Sequence, residues 1–353
     1  MNLTPAEILA LTNEAALLIQ RGRVAYANAA ARGLLGEDCQ GKPVRSLLGA
    51  EITETQASSF VASISLSGQP CIVRVSKSEA GQIVFFSRSE TAPALVNDPF
   101  LCELRSGLMN ISMAADSLRE QADRQQDAGL LADLQPLTRS YYRLLRLTEN
   151  ASLVLAAAQG GLPISLSTFD LSALCRSILD LVTHFYPGFQ CRAELKEPAV
   201  LAADSTLLKQ LILNLLANCI THAGPEASAV LRITVTAGSV VLSVSDNGRG
   251  IAPELLHTVF DRYRHGFGLG DMNRGPGLGL TVSRLITMAH QGTLLLESRP
   301  GQGTTVRASF SRDGNAPAAV HAPGGGTDTL VRDVLVGLSG CLPAECYTER
   351  YMD

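Results

Sequence analysis

Residues 207–222, which read as a helix, constrain the possible folds of this chain more than any other stretch. Polar side chains recur in this run at the helical spacing expected of leucines that face a core. Asn214, Asn218 and His222 follow one another every four residues, and Leu211 continues the same strip towards the amino terminus. Residues four apart lie on one face of a helix. The run therefore predicts two amides and an imidazole that face the interior of the protein. The alternative is structural: both asparagines bond to neighbouring backbone groups.

A strand followed by a glycine turn is predicted next. The apolar, β-branched run 240–244 leads into Asp246-Asn-Gly248-Arg-Gly250, an order that is typical of a strand that ends in a tight turn. Asp246 would present its carboxylate at the end of the strand, where it could accept a hydrogen bond from an amino group. Taken alone, the turn also fits a plain loop.

A second glycine-rich segment precedes a helix. Gly275, Gly277 and Gly279 alternate with a proline and Leu278, and a helix-like segment follows over residues 281–290. The free N–H groups and the dipole at the start of a helix attract anions, and glycine lets the backbone approach a phosphate closely. The segment predicts an anion site, again with a plain loop as the alternative.

In their order along the chain, these motifs and the later run Gly301-Gln-Gly-Thr304-Thr305 resemble the Bergerat-fold ATP-binding domain of sensor histidine kinases. The resemblance extends from about Phe169 to Phe310 and implies ATP and Mg²⁺ as cofactors. The ATP-binding residues that it implies are Asn214, Asn218, His222, Asp246, Gly248, Gly250, Phe260, Gly275, Gly277, Leu278, Gly279 and Thr304.

The resemblance also implies a role for several of these residues. Asn218 and Asn214 would hold Mg²⁺, and Asp246 would receive the adenine amino group. His222 stands where the family stacks an aromatic ring on adenine. The two glycines after Asp246 would shape the floor of the pocket.

A lid over the phosphates is implied for residues 262–276, with Phe260 as its anchor. One departure from the family is visible beside the helical asparagines: Thr221 stands where a lysine is common. The substitution removes one phosphate contact and predicts weaker ATP binding.

Composition excludes several other classes of protein. The 353 residues carry a net charge of −4, with 46% hydrophobic and 18% charged residues, which indicates a globular protein of more than one domain. Direct binding to nucleic acid requires clustered lysine and arginine. We predict that this chain does not bind nucleic acid directly. The eight scattered cysteines predict reduced thiols. No apolar run reaches the length of a membrane span, so we predict a cytoplasmic protein whose signal is inside the cell.

The amino-terminal part predicts a small α/β domain over residues 1–90. Two short strands around a turn at residues 21–23 precede a helix, and a later strand pair flanks residues 78–81. The segment resembles a PAS sensory domain, especially at residues 26–28 and at Gly36. An α+β domain that serves only dimerisation is the alternative.

Residues 98–159 predict a helical hairpin. Two apolar series with steps of three and four are separated by the polar residues 120–127, a pattern that is typical of a bundle seam. Hairpins from two copies of the chain would form a four-helix bundle, which predicts a homodimer; a plain dimeric coiled coil is the alternative. Pro136 lies within the second series, so the second helix is expected to start or kink there.

The beginning of the hairpin, residues 100–108, resembles the phosphoacceptor box of histidine kinases, usually His-Glu-Leu-Arg-Thr-Pro-Leu. Cys102 takes the place of the histidine, Glu103 matches the acidic neighbour that would act as a base, and the hairpin contains no histidine. An ordinary thiol has a pKa of about 8.5 and is mostly protonated near neutral pH. We therefore predict an inactive Cys102, and an inert exposed thiol is favoured over a redox switch.

Two further segments complete the chain. Residues 313–328 are rich in Gly, Pro and Ala and predict a flexible linker. Residues 329–353 predict an amphipathic helix and a tail, which dock on their own domain or on a partner. The predicted fold is thus multidomain α+β, with a PAS-like α/β sensor domain, a helical dimerisation hairpin and, over residues 165–312, an α/β two-layer sandwich that binds ATP.

The leading functional prediction is a cytosolic sensor histidine kinase-like protein of a bacterial two-component system, which binds Mg-ATP for phosphoryl transfer and works with a response regulator. Because Cys102 replaces the histidine, autophosphorylation in cis is not expected. The alternative is an ATP-gated pseudokinase that holds a response regulator or a transcription factor without phosphorylating it. A serine kinase of the anti-sigma type is a third reading, less favoured because such proteins lack the preceding sensory domain and hairpin.

Overall fold

The computed structural model describes residues 5–10, 12, 14–49, 52–53, 55, 57–66, 69–78, 81–88, 98–195, 198–222, 228–260, 277–312 and 327–347. The α-helices within them are α1 (Pro5–Ala10), α2 (Ala29–Leu35), α3 (Val44–Leu48), α4 (Asp98–Gln125), α5 (Ala128–Ala158), α6 (Leu171–Phe185), α7 (Ser205–His222), α8 (Leu278–Ala289) and α9 (Thr327–Gly337). The strands are β1 (Ala15–Gln20), β2 (Arg23–Ala27), β3 (Ser59–Leu66), β4 (Gln69–Ser78), β5 (Gly81–Arg88), β6 (Ser167–Asp170), β7 (Gln190–Leu195), β8 (Val200–Ala203), β9 (Ser228–Val235), β10 (Ser239–Asp246), β11 (Thr293–Ser298) and β12 (Thr304–Ser311). Short 3₁₀ turns lie at Glu37–Cys39, Pro253–Thr258 and Ala344–Tyr347.

The amino-terminal unit is an antiparallel sheet in the order β2-β1-β5-β4-β3, and α2 and α3 lie between β2 and β3 in the chain. Strands β1 and β2 turn at Arg21 and Gly22, whose φ angles of 51° and 73° suit a two-residue hairpin. The buried side chain of Asn28 caps α2 by accepting from the Ala31 N–H at 2.9 Å, and it ties α2 to β1 by accepting from the Ala16 N–H at 3.0 Å. The expected α/β unit is present, and its likeness to a PAS domain remains a prediction.

Helices α4 and α5 pack together as a hairpin. Asp127 caps α5 by accepting from the Leu130 N–H at 3.0 Å, and Gln126 takes a φ of 52° in the turn. Pro136 lies inside α5, about two turns beyond its first residue. The expectation that the helix begins near Pro136 is therefore wrong, because Asp127 supplies a side-chain cap earlier in the chain.

Much of the hairpin surface is apolar and exposed. Such a concentration is typical of a surface that another protein covers. Eight of the ten large hydrophobic side chains that are exposed in the described part of the chain belong to α4 and α5, namely Phe100, Leu104, Met109, Ile111, Met113, Leu118, Leu137 and Leu144.

The second large unit has two layers, with helices α6, α7 and α8 on one face of a mixed sheet in the order β11-β12-β10-β9-β7. Strand β10 shows why one face is covered: Val240, Leu242 and Val244 are buried, and the residues between them are partly exposed. This alternation is the period of two that a half-buried strand requires. Strands β6 and β8 form a separate antiparallel pair. The α/β two-layer sandwich predicted for this part of the chain is observed.

The two sheets join edge to edge into one sheet of ten strands. Strand β3 pairs antiparallel with β11 over four residue pairs, which include Ala62 opposite Leu295 and Ser63 opposite Leu294. The sequence did not indicate this pairing. A strand edge presents only backbone N–H and C=O groups, so its partner carries no side-chain signature.

The carboxy-terminal helix docks on its own chain. Helix α9 and the turn Ala344–Tyr347 pack against α5, α6 and α7, and Val334, Leu338 and Tyr347 belong to the main hydrophobic core. Lys209 of α7 forms an ion pair with Asp333 of α9. Of the two expectations for this segment, docking on its own domain is the one observed. Helix α9 begins at Thr327, so the end of the predicted linker over residues 313–328 is wrong by two residues, and residues 313–326 lie outside the described residues.

Across the described residues, no helix has an apolar stretch long enough to cross a bilayer.

Candidate functional site

Helix α7 begins at a capped position that is tied to α8. The Asp204 carboxylate accepts hydrogen bonds from the backbone N–H groups of Thr206 at 3.0 Å and Leu207 at 3.1 Å. The Asp204 N–H in turn donates to His290 Nε2 at 3.0 Å, and His290 Nδ1 lies 2.8 Å from the Ile286 carbonyl oxygen. These contacts assign the neutral tautomer with the proton on Nδ1. Burial lowers the pKa of His290, in agreement with a neutral ring.

The two asparagines of α7 converge on the start of α8. A Cβ atom placed on Gly279 would lie 3.7 Å from Oδ1 of both Asn214 and Asn218. Asn214 is 2% exposed, and the Nδ2 atoms of both asparagines are buried without a hydrogen-bond partner among the described residues. The structural interpretation, in which both amide groups bond to nearby backbone, is therefore wrong for these donors. Unpartnered buried donors point to a ligand.

One contact to Asn214 comes from outside the ATP-domain motifs. Arg146, on the hairpin helix α5, donates to Asn214 Oδ1 at 3.2 Å. Thr221, one turn after Asn218, donates its hydroxyl back to the Ala217 carbonyl oxygen at 2.7 Å. The Thr221 side chain, which stands where a lysine is common, therefore bonds to the backbone of its own helix.

Asp246 ends strand β10 with its carboxylate held in place. Its Oδ1 accepts from the backbone N–H groups of Gly248 at 2.9 Å and Thr304 at 3.2 Å, and Cys219 Sγ lies 3.9 Å from its Oδ2. Burial raises the pKa of Asp246, while the two N–H donors oppose that rise. Burial also raises the pKa of the Cys219 thiol well above its ordinary value, so this thiol is a neutral neighbour.

Two glycines make the close packing around Asp246 possible. A Cβ on Gly303 would lie 1.9 Å from the Asp246 carbonyl oxygen, and a Cβ on Gly250 would lie 2.0 Å from the Arg299 carbonyl oxygen. Both glycines have positive φ, 81° and 68°. Only glycine fits at either position. Sequence analysis identified Gly250 and missed the role of Gly303, although the run Gly301-Gln-Gly303-Thr304 carries the signal.

A cavity of about 520 Å³ lies between α7, the end of β10 and the start of α8. Its volume is within the range of small-molecule sites. It brings together six of the predicted residues, which are Asn218, His222, Asp246, Gly250, Gly277 and Thr304. Its apolar walls come mainly from Leu215, Val244, Ile251, Leu255, Val259, Leu280, Leu296 and Val306.

A smaller cavity, which we call the arginine cavity, adjoins the first and shares Asn218, His222 and Gly277 with it. Leu278 and Gly279 line it from α8, and Arg143 and Arg146 line it from α5. Neither arginine was predicted from the sequence as a site residue. Both lie about 70 residues before the asparagines, within a helical segment whose apolar pattern is typical of a helix bundle.

The remaining predicted residues fall elsewhere. Phe260 is fully buried, and its carbonyl oxygen accepts from Thr281 Oγ1 at 3.0 Å, which links the end of the described segment before the predicted lid to α8. Gly248 is buried in the turn after Asp246. Gly275 and the predicted lid over residues 262–276 lie outside the described residues. Cys102 and Glu103 are exposed on α4 and line neither cavity.

Comparison with known proteins gives the site a family. Residues 203–314 match the family of histidine kinase-, DNA gyrase B- and HSP90-like ATPases. The sensor histidine kinase YkoH of Bacillus subtilis is 33% identical over 46% of this chain and 36% of its own length. The probable sensor histidine kinase TcrY of Mycobacterium tuberculosis is 35% identical over 45% of this chain and 34% of its own length.

The match to solved structures is looser. The structure of histidine kinase ThkA in complex with the response regulator protein TrrA aligns with 88% of this chain and 98% of that chain, at 18% identity and a TM-score of 0.41. The chain spans about a third of the length of the curated relatives TcrY and YkoH. The ATP-binding resemblance seen in the sequence is confirmed for residues 203–314, which match the histidine kinase-, DNA gyrase B- and HSP90-like ATPases, and the chain is similar to sensor histidine kinases over slightly less than half of its length.

Proposed function

We propose that the chain binds ATP in the 520 Å³ cavity, with the adenine at Asp246 and the phosphates at the start of α8. The observation that carries the proposal is the convergence of Asp246 and Asn218 on one cavity. Oδ1 of the Asp246 carboxylate is held by two backbone donors, and Oδ2 lies 3.9 Å from the thiol of Cys219, which lines the same cavity. A fixed acceptor of this kind suits the exocyclic amino group of adenine.

The phosphate end rests on helix geometry. Gly277 precedes α8 with φ 69° and ψ 18°, and no side chain in the described part of the chain caps the helix. The first N–H groups of this 12-residue helix are therefore available to an anion, and the helix dipole favours negative charge there.

Magnesium fits the same end of the site. Amide oxygens are hard ligands of the kind that Mg²⁺ accepts, and the ion usually completes its shell with water and substrate phosphate oxygens. Asn218 Oδ1 and Asn214 Oδ1 face the same point beside Gly279, but Arg146 already donates to the Asn214 oxygen. Asn218 is therefore the better ligand. When bound, the ion would neutralise charge on the terminal phosphates.

Isothermal titration of the full chain with ATP and Mg²⁺ tests this proposal. We expect one site per chain and weaker binding when Asn218→Ala is titrated. An Asp180→Asn variant, altered at an exposed position of α6, is the matched control and should bind as the wild type does. Absence of heat with ATP and with adenosine, in a folded protein, would refute ATP binding.

For the signalling role, we propose a two-component sensor kinase-like protein that passes information to a response regulator. If phosphoryl transfer occurs, the γ-phosphoryl group goes to an acceptor other than the exposed Cys102 thiol. Incubation with radiolabelled ATP and candidate regulators, followed by mass spectrometry of the labelled site, tests this role. Label on a regulator that exceeds the Asn218→Ala background would support transfer, and label no greater than that background would contradict it.

The pseudokinase alternative is favoured by one observation: Cys102 is exposed at the acceptor position, whereas residues implied for ATP binding, Asn218 and Asp246 among them, line one cavity. A Cys102→His variant separates the two functions. If it gains acid-labile phosphate on α4, the ATPase domain is competent and the loss is confined to the acceptor. If it binds ATP and gains none, the ATPase domain itself does not transfer phosphate and the pseudokinase function is supported.

A homodimer through the hairpin is supported by the exposed apolar side chains of α4 and α5. Met109 and Met113 are 65% and 66% exposed, and a second copy of the hairpin would cover them in a four-helix bundle. Met109→Glu with Met113→Glu should shift the molar mass in light scattering from dimer to monomer. Leu166→Glu changes a side chain that is 59% exposed but lies outside the hairpin, so it should leave the mass unchanged.

A further inference from the structure

Arg146, which lines the arginine cavity, has no anionic partner among the residues that the structure describes. No carboxylate among the described residues forms an ion pair with Arg146, and its guanidinium group donates to the neutral oxygen of Asn214. Arg146 is half-buried, and burial lowers the pKa of its guanidinium group; Cys341 and Tyr347 oppose this lowering, whereas Arg143, which has the same charge, adds to it. A desolvated cation is costly without a compensating anion. This arrangement indicates a site that an anion completes.

The wall opposite Arg146 is itself suited to an anion. The uncapped start of α8 faces the cavity through Gly277 and Gly279. The buried Nδ2 atoms of Asn214 and Asn218 are further donors that have no described partner. Two helices from different units of the fold, α5 and α8, pack against each other here and thus supply donors to one small space.

The position of the cavity identifies the anion. It shares Asn218 and Gly277 with the proposed nucleotide cavity and is lined by Gly279 at the start of α8, whereas Asp246 does not line it, so it adjoins the phosphate end. Thr221, which stands where a lysine is common, directs its hydroxyl to the helix backbone. The cation at the phosphate end is therefore Arg146, which belongs to the hairpin helix α5.

We propose that Arg146 binds the terminal phosphates of ATP, so that the nucleotide bridges the hairpin helix α5 and the ATPase domain. Asn214 positions the guanidinium group through Oδ1, and the uncapped start of α8 binds the same phosphates from the other side. Arginine suits this role because its planar guanidinium group forms paired hydrogen bonds to phosphate oxygens. The inference rests on the proposed binding of ATP and adds that nucleotide occupancy fixes the hairpin against the ATPase domain.

Titration of the full chain with ATP, ADP and adenosine tests the inference. Loss of a hydrogen-bonded charge pair typically weakens binding by about ten- to a hundredfold, so Arg146→Ala should lose that factor for ATP and retain wild-type affinity for adenosine. Arg146→Lys should recover part of the loss, since the charge remains without the planar group. Arg124→Ala, in an exposed part of the hairpin, should match the wild type for all three titrants.

The outcomes are distinguishable. If the wild type binds ATP and Arg146→Ala binds it within twofold of the wild type, the bridging role is wrong and ATP binding stands. If Arg146→Ala loses adenosine together with ATP, the arginine acts on the fold and the inference also fails. If the wild type binds none of the three titrants, both proposals fail.

A second readout measures the bridge itself. In the wild type, ATP should slow amide hydrogen exchange in α5 around Arg146, because the nucleotide holds that helix against α8. Adenosine should not slow it, and neither should ATP added to Arg146→Ala. Equal protection of α5 by ATP and adenosine would overturn the bridging role.

Discussion

The carboxylate of Asp246 accepts a hydrogen bond from the backbone N–H of Thr304 at 3.2 Å, across 58 residues of sequence. The same oxygen accepts from Gly248 at 2.9 Å. These two donors come from adjacent turns at the end of β10 and the start of β12, strands that pair in the sheet. The sheet therefore fixes the direction in which the second carboxylate oxygen points.

Replacement of Asp246 by asparagine should weaken ATP binding by about ten- to a hundredfold, the range for loss of a hydrogen bond to a charged group. The variant keeps the shape of the side chain, but its amide would place a donor where an acceptor is required or lose the turn contacts. Titration calorimetry with ATP measures the change. Unchanged affinity in the variant would show that adenine does not contact Asp246.

The raised pKa of Asp246 predicts a pH dependence of binding. Because burial raises this pKa above its ordinary value, the carboxylate takes up its proton at a higher pH than an ordinary aspartate. The charged acceptor is lost as the pH falls through the raised pKa, so affinity should fall in the same direction. Adenosine is the suitable titrant, since it lacks phosphates that would titrate themselves. The Asp246→Asn variant should show no such dependence.

Gly303 and Gly301 form a matched pair for testing the packing around Asp246. Both have positive φ, 81° and 73°, but a Cβ on Gly303 would lie 1.9 Å from the Asp246 carbonyl oxygen, whereas a Cβ on Gly301 meets nothing within 4 Å. Gly301→Ala should cost only the left-handed backbone penalty of about 1–2 kcal/mol. Gly303→Ala adds a backbone clash and should cost more than about 3 kcal/mol. Urea denaturation of the full chain gives both values, and equal costs would contradict the close approach.

His290 predicts a second pH effect, on stability. Its folded pKa is lowered by burial, so the unfolded chain, with a histidine pKa of about 6.5, takes up the proton first. The stabilisation from the neutral ring is complete above about pH 6.5 and is lost as the pH falls towards the lowered folded pKa. His290→Gln should flatten the dependence of the unfolding midpoint on pH in this window. His184→Gln, at an exposed position of α6, should leave it as in the wild type.

The strip on α7 shows what periodicity can predict. The four-residue spacing of Asn214, Asn218 and His222 placed all three beside the start of α8, because helical geometry is local and its period is fixed. Asp246 was equally predictable, since a β-branched run that ends in Asp-x-Gly-x-Gly places the carboxylate at a strand end. In both cases the placement of the side chain follows from the short stretch of sequence that forms its own helix or strand end.

Arg146 shows what periodicity cannot predict. Its approach to Asn214 depends on how the hairpin packs against the ATPase domain, and neither helix carries a local signal for that packing. The pairing of β3 with β11 could not be predicted from the sequence for the same reason. Contacts between separately folding units depend on surfaces whose complementarity appears only after each unit has formed.

The β3–β11 pairing predicts a specific disulfide. Ala62 lies directly opposite Leu295 in the register, and residues opposite each other in an antiparallel pair have Cα atoms about 4.5–5.5 Å apart, within the range of a disulfide. Ala62→Cys with Leu295→Cys should therefore form a cross-link under mild oxidation, identified by mass spectrometry of the linked peptides. Val73 lies opposite Ala62 on the other side of β3, so Val73→Cys with Leu295→Cys spans two strand spacings, about 9.6 Å, and should not cross-link. Cross-linking of the control pair to the same extent, or of neither pair, would show that the two sheets do not join in this register.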